Sequence, residues 1–112
     1  MLYRKIKKNG DNLSILGFGC MRLPQKKGTP GDGKIDEERA RRQILYAIDN
    51  GINYFDTAMF YHRGASELFL GKVFANGYRD KIKLATKLPP FQVAMPEDME
   101  KLLNAQLKKL NT

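Results

Sequence analysis

At 112 residues, with 42% hydrophobic and 29% charged side chains, the chain has the length and composition of one small folded domain. No stretch approaches the roughly 20 consecutive apolar residues of a membrane-spanning helix, so no membrane partner is expected. The net charge of +8 invites a nucleic-acid reading, but the basic residues are scattered, without zinc-ligand spacing or an aromatic-basic RNA signature, and no nucleic-acid partner is expected.

MLYRKIKKNG opens the chain charged and without the apolar core of a signal peptide, which points to a cytoplasmic protein. Leu2 to Lys7 is a strand candidate, NGDN at 9–12 is a turn signal, and LSILGFG at 13–19 reads as the return of a hairpin. Gly17 and Gly19 allow close backbone approach in that run. Cys20 is the only cysteine, which excludes an internal disulfide or a cysteine-rich metal site; it reads as a small buried residue. PQKKGTPGDGK, residues 24–34, is expected to be an exposed and mobile loop. A helix follows, with Asp36 as N-cap, Glu37 and Glu38 at the positive end of the dipole, and Gly51 as its stop. Ala40, Ile44, Ala47 and Ile48 form its apolar stripe.

INYFDTA at 52–58 reads as a buried strand. Ser66 is placed to cap a second helix, SELFLGKVFA, which packs through Leu68, Phe69, Val73 and Phe74. KIKLATK at 81–87 is a third strand, and Pro96 suits the first turn of a third helix. That helix carries a stripe of Met99, Leu102, Leu103, Leu107 and Leu110. Strands GFGCMRL, INYFDTA and KIKLATK, each followed by a helix, predict an α/β fold with a parallel sheet and right-handed crossovers.

In such sheets functional groups collect at the carboxyl ends of the strands. The period of two puts Asp56 and Lys87 on one face of neighbouring strands, with Phe55, Ile82 and Leu84 turned to the helices. Tyr61 lies in the loop above the pair. A phenol with an ordinary pKa of about 10 is a poor proton donor near neutral pH; an adjacent ammonium lowers it, and a carboxylate behind the lysine holds that charge. Tyr, Lys and Asp in that order form a proton-donor assembly for reducing a carbonyl, with the hydride left to a nicotinamide cofactor. The bland alternative stays open: Asp56 as a turn cap, Lys87 as a solvated side chain, Tyr61 as a loop anchor.

At these residues the sequence resembles the aldo-keto reductases, through LGFGCMRLP (16–24), GINYFDTA (51–58), DTAMFYHRGASE (56–67) and ATKLPP (85–90). The opening YRKIKKNGDNLSILGFGCMRLP and the later LNAQLKKL resemble the microbial branch whose full-length members often carry a C-terminal ferredoxin-like iron–sulfur region. The resemblance covers essentially all 112 residues. It implies the first three strand–helix units of a (β/α)8 barrel behind an N-terminal β-hairpin, so that residues 1–112 would be the N-terminal part of a barrel domain. It also implies NADPH- or NADH-dependent reduction of a small carbonyl substrate, with Tyr61 as general acid, Lys87 tuning it and Asp56 pairing with Lys87. The family's fourth catalytic residue is a histidine at the end of the fourth strand, beyond Thr112; His62 is not that residue and is expected to line the cleft or face solvent.

A complete barrel takes about 250 residues. The chain alone is therefore expected to be inactive and to hold no tightly bound nicotinamide. Open edges and an uncovered apolar face would favour self-association, and a non-catalytic self-associating module stands as the alternative function.

Overall fold

The computed structural model describes residues 1–27 and 34–112. The hairpin is formed by β1 (Tyr3–Lys5) and β2 (Asn12–Ser14), antiparallel with Tyr3 opposite Ser14 and Lys5 opposite Asn12. Its turn is closed by Ile6 N–H donating to the Asp11 carbonyl (2.7 Å) and Gly10 N–H donating to the Ile6 carbonyl (2.8 Å). Gly10 takes a φ of +79°, which a side chain would resist.

The return strand is shorter than LSILGFG suggested. Ser14 Oγ donates to the Leu16 carbonyl at 2.7 Å and turns the chain, so that Phe18–Gly19 leaves the hairpin and becomes β3 of a second sheet. That sheet is parallel, in the order β3, β4 (Tyr54–Asp56), β5 (Lys83–Ala85). Phe18 stands opposite Phe55 and Phe55 opposite Leu84, while Gly19, Asp56 and Ala85 form the next row.

Three helices cover one face: α1 (Glu37–Asp49), α2 (Ala65–Phe74) and α3 (Pro96–Leu110). In α1 the Asp36 side chain accepts from Arg39 N–H at 3.1 Å, and Gly51 at φ +90° closes the far end. Ala40, Ile44 and Ala47 are buried, with Ile48 packed at the margin of the core. The core centres on Phe55, which is fully buried between Phe18 (ring centroids 5.4 Å apart) and Phe74 (5.2 Å). Ile82 is buried beside it and Leu84 half-buried, as the face assignment required.

Several expectations need correction. Ser66 does not cap α2, because the helix starts after Gly64 at φ +90°; Ser66 lies inside the first turn, fully buried. That start centres the buried stripe on Ser66, Phe69, Leu70 and Val73 and turns Leu68 outward, leaving it 52% exposed. In α3 only the C-terminal half docks on α2, so Gln106 and Leu110 are buried while Met99 and Leu103 remain about half exposed. The described part of the 24–34 loop is exposed at Lys26, Lys27 and Lys34, as expected, while the buried Leu23 and Ile35 flank it, Ile35 bridges Gln25, and Asp36 N–H donates to the Pro24 carbonyl at 2.8 Å. The middle of that loop, 28–33, lies outside the described residues. The face away from the helices is small and polar rather than apolar, carrying Gly19, Tyr54, Asp56, Lys83 and Ala85. Among the described residues no helix is long and apolar enough to cross a membrane.

Candidate active site

β4 ends at Asp56 and β5 ends two residues before Lys87, so parallel pairing delivers both side chains to the same end of the sheet. The ladder continues past the strands: Thr57 N–H donates to the Ala85 carbonyl and Cys20 N–H to the Asp56 carbonyl, each at 2.8 Å. The Lys87 ammonium donates to Asp56 Oδ1 (2.7 Å), to Oδ2 (2.8 Å) and to the Thr57 carbonyl (2.9 Å). Both side chains keep some contact with water, at 47% and 37% exposure, which limits what the pair adds to stability.

Tyr61 stands in a short turn, Tyr61–Gly64, entered through its own N–H donating to the Ala58 carbonyl at 3.2 Å. Lys87 Nζ sits 4.9 Å from the centroid of the Tyr61 ring, within cation–π range. Desolvation would lower the Lys87 pKa, but the bonds to Asp56 and the neighbouring Tyr61 outweigh it and hold the ammonium above its ordinary value. The three residues singled out from sequence, Asp56, Tyr61 and Lys87, are thus brought together.

His62 is not solvent-facing. It is buried, and its Nε2 accepts from the Leu23 N–H at 3.0 Å, tying the tyrosine turn to the segment after β3. This costs backbone strain, because His62 and Arg63 both lie at positive φ (53° and 52°) ahead of Gly64 at 90°. Cys20, buried below the pair, has its thiol pushed up to about 12 by burial, with Asp56 adding to the effect.

A cleft of about 240 Å³ opens at the pair, lined by Tyr61 and Lys87 together with Phe60, Leu88, Pro89 and Phe91. Phe60 and Phe91 pack against each other in its wall, with ring centroids 5.3 Å apart. A larger cavity of about 550 Å³ lies between β3 and α1, lined by Leu16, Phe18, Tyr46 and Ile52, and holds no ionisable pair. Size and chemistry therefore separate, and the chemistry lies at the smaller cleft. The residues at the cleft fit the proton side of a nicotinamide reaction. Among the described residues no glycine-rich turn at a helix start offers a diphosphate cradle, and no cluster would hold a metal ion.

Sequence reasoning missed the polar cluster beneath the site, formed by the buried Thr57, Ser66, Glu67 and Gln106 and the half-buried Thr86. Thr57 and Ser66 share a hydroxyl–hydroxyl bond of 2.9 Å. Glu67 Oε1 accepts from Thr86 Oγ1 (2.7 Å) and from Gln106 Nε2 (2.8 Å). The signal was present in the periodicity: Gln106 interrupts the leucine stripe of α3, and Glu67 falls four residues before Gly71 on the packed face of α2.

The Aldo/keto reductase family model matches residues 15–112. A curated soybean (Glycine max) protein named "Probable aldo-keto reductase 1" is 40% identical over 83 residues, which are 74% of this chain and 23% of that protein. Among solved structures, the holo form of aldo-keto reductase AKR11C1 from Bacillus halodurans superposes with a TM-score of 0.77 at 32% identity, covering all of this chain and 37% of its own. An aldo-keto reductase from Klebsiella pneumoniae in complex with NADPH has the same fold (TM-score 0.77, 21% identity), again covering all of this chain and 37% of that one. The chain thus spans about a quarter of the curated relative and well under half of the solved ones. Its open sheet of three strand–helix units corresponds to the first part of a (β/α)8 barrel, and the chain belongs to the aldo/keto reductase family.

Proposed function

We propose that this chain carries the proton-donor side of an NAD(P)H-dependent reductase that converts an aldehyde or ketone to an alcohol. The observation that carries the reading is the Lys87 ammonium, fixed by Asp56 at 2.7 Å while lying 4.9 Å from the Tyr61 ring at an apolar cleft. As a bound carbonyl is reduced, negative charge gathers on its oxygen. The Tyr61 hydroxyl donates its proton there, and the neighbouring ammonium stabilises the charge left on the phenolate. Asp56 keeps the ammonium charged and in place, and the Thr57 carbonyl fixes its remaining direction.

A nicotinamide cofactor, when bound, supplies the hydride. Support for that comes from the relatives, one in its holo form and one bound to NADPH. Phe60, Phe91 and Pro89 give the cleft apolar walls, which suits a carbonyl substrate with an apolar body. We further propose that the 112 residues alone neither reduce carbonyls nor hold NADPH tightly, because the described residues supply no phosphate cradle.

The test is Tyr61→Phe in a full-length reductase carrying this segment. General-acid catalysis contributes about 10²- to 10⁴-fold, so kcat is expected to fall on that scale with the cofactor Kd unchanged. Activity within a few-fold of the parent, by NADPH absorbance, would remove Tyr61 as the donor.

A further inference from the structure

We infer that Glu67 and Gln106, with Thr86, are positioning residues that set where Lys87 stands. The inference rests on the proton-donor reading above and adds to it the part that aims the lysine. Lys87 is held at two points. Its ammonium is bound by Asp56 and the Thr57 carbonyl, and its main-chain carbonyl accepts from Gln106 Nε2 at 3.0 Å. The second grip comes from α3, which has no other contact with the candidate catalytic groups in the hydrogen-bond network.

What orients Gln106 is Glu67. An amide side chain has a donor end and an acceptor end, and either fits the same volume. Glu67 Oε1 only accepts, and it stands 2.8 Å from Gln106 Nε2 while taking the Thr86 hydroxyl proton at 2.7 Å. With its proton spent there, Thr86 Oγ1 is left to accept from the same Nε2 at 3.0 Å. The two N–H bonds of Gln106 are thus shared among three acceptors, which turns its NH₂ end toward the Lys87 carbonyl. Glu67 is fully buried and Gln106 is 1% exposed, so water does not compete. The counter-charge is Lys109, whose Nζ is 3.7 Å from Glu67 Oε2 and reaches in from the surface.

Ser66, the neighbour of Glu67, completes the arrangement. Its hydroxyl bonds Thr57, whose carbonyl is the third acceptor of the Lys87 ammonium. The first turn of α2, four to six residues after Tyr61, therefore reaches both strand ends that carry the charged pair. A carboxylate at zero exposure is costly to bury, and the proton-donor assembly makes no direct use of it. Aiming Lys87 gives it a task.

The test reads Lys87 directly and needs no reductase activity. In the 112-residue chain labelled uniformly with ¹⁵N, the Lys87 ammonium is expected to give a resolved resonance in slow exchange with water, because its protons are held by Asp56 and Thr57. In Gln106→Leu, with the amide spectrum of β4 and β5 retained, that exchange is expected to accelerate about tenfold, the scale of losing a buried hydrogen bond. Thr86→Val, a substitution of nearly equal volume, moves it in the same direction and serves if Gln106→Leu does not fold. Glu67→Leu removes the acceptor that aims Gln106 and, with the same amide spectrum retained, is expected to accelerate exchange likewise. Unchanged exchange in Gln106→Leu or, where that variant does not fold, in Thr86→Val, or unchanged exchange in a folded Glu67→Leu, overturns the inference. A parent chain with no slowly exchanging Lys87 ammonium overturns the proton-donor reading itself, so the two failures are distinguishable.

Discussion

Gly71→Ala sets two energies of opposite sign against each other. Gly71 lies inside α2 with ordinary helical φ, so alanine there should stabilise the helix by about 1 kcal/mol through lower chain entropy. The added methyl, however, would point into the end of α3. It would meet the Lys109 carbonyl oxygen and stand 2.9 Å from the Leu110 carbonyl carbon. Both are backbone atoms and cannot swing aside as a side-chain tip would, so the helices must part by roughly an ångström to reach ordinary contact distance. Overpacking of this kind costs about 1–3 kcal/mol, and a backbone partner puts it at the upper end. The balance is a net loss of about 2 kcal/mol. With a urea slope of about 2 kcal/mol/M for a small domain, the unfolding midpoint is expected to fall by about 1 M. Circular dichroism at 222 nm during urea titration measures it. A midpoint that rises by about 0.5 M, as helix propensity alone would give, refutes the packing argument.

Two further outcomes follow from the charged groups. Cys20, with its thiol pushed up to about 12, should resist alkylation by iodoacetamide at pH 8 while folded and react at the free-thiol rate once urea exposes it; equal rates in both states would place it at the surface. Lys87 is raised above its ordinary value of 10.5, so its contribution to stability is fully present below that pH and is lost as pH rises through the folded value. Melting temperatures of the parent and Lys87→Met, compared between pH 9 and 12, should converge at the alkaline end. A gap that widens with pH would reverse the sign.

Alternation of strand and helix was legible because it rests on local properties: turn residues, caps, and the periods of 2 and 3.6. Asp56 and Lys87 could be paired in advance because parallel strands carry side chains to a common end in a fixed alternation. The unforeseen features depend on tertiary packing. Ser66 looks like a helix cap from its neighbours, and only the close seat of α2 against Thr57 draws it inward. Leu68 and Leu70 are equivalent by hydropathy, and the start of α2 at Gly64 decides which one faces the sheet. His62 reads as polar loop, yet its burial depends on Leu23, 39 residues away in sequence. Gln106 and Glu67 look like flaws in apolar stripes until seen to answer one another across two helices.

The junction between the hairpin and the parallel sheet bears on the order in which the chain assembles. Asn53, just ahead of β4, takes the Ser14 N–H on its side-chain oxygen (2.8 Å) and donates its amide to the Asn12 carbonyl (2.9 Å), while its backbone N–H reaches Ser14 Oγ (3.1 Å). Lys83 at the foot of β5 adds an ion pair to Asp11 at 2.9 Å. Every one of these fastenings joins the hairpin to residues about forty or more positions downstream, and β1 itself buries nothing. Closing so long a loop is entropically expensive until β4 and β5 exist as a surface to close it on. The hairpin is thus made before the sheet and secured after it: a strand pair that waits, largely solvated, for the surface it will dock against.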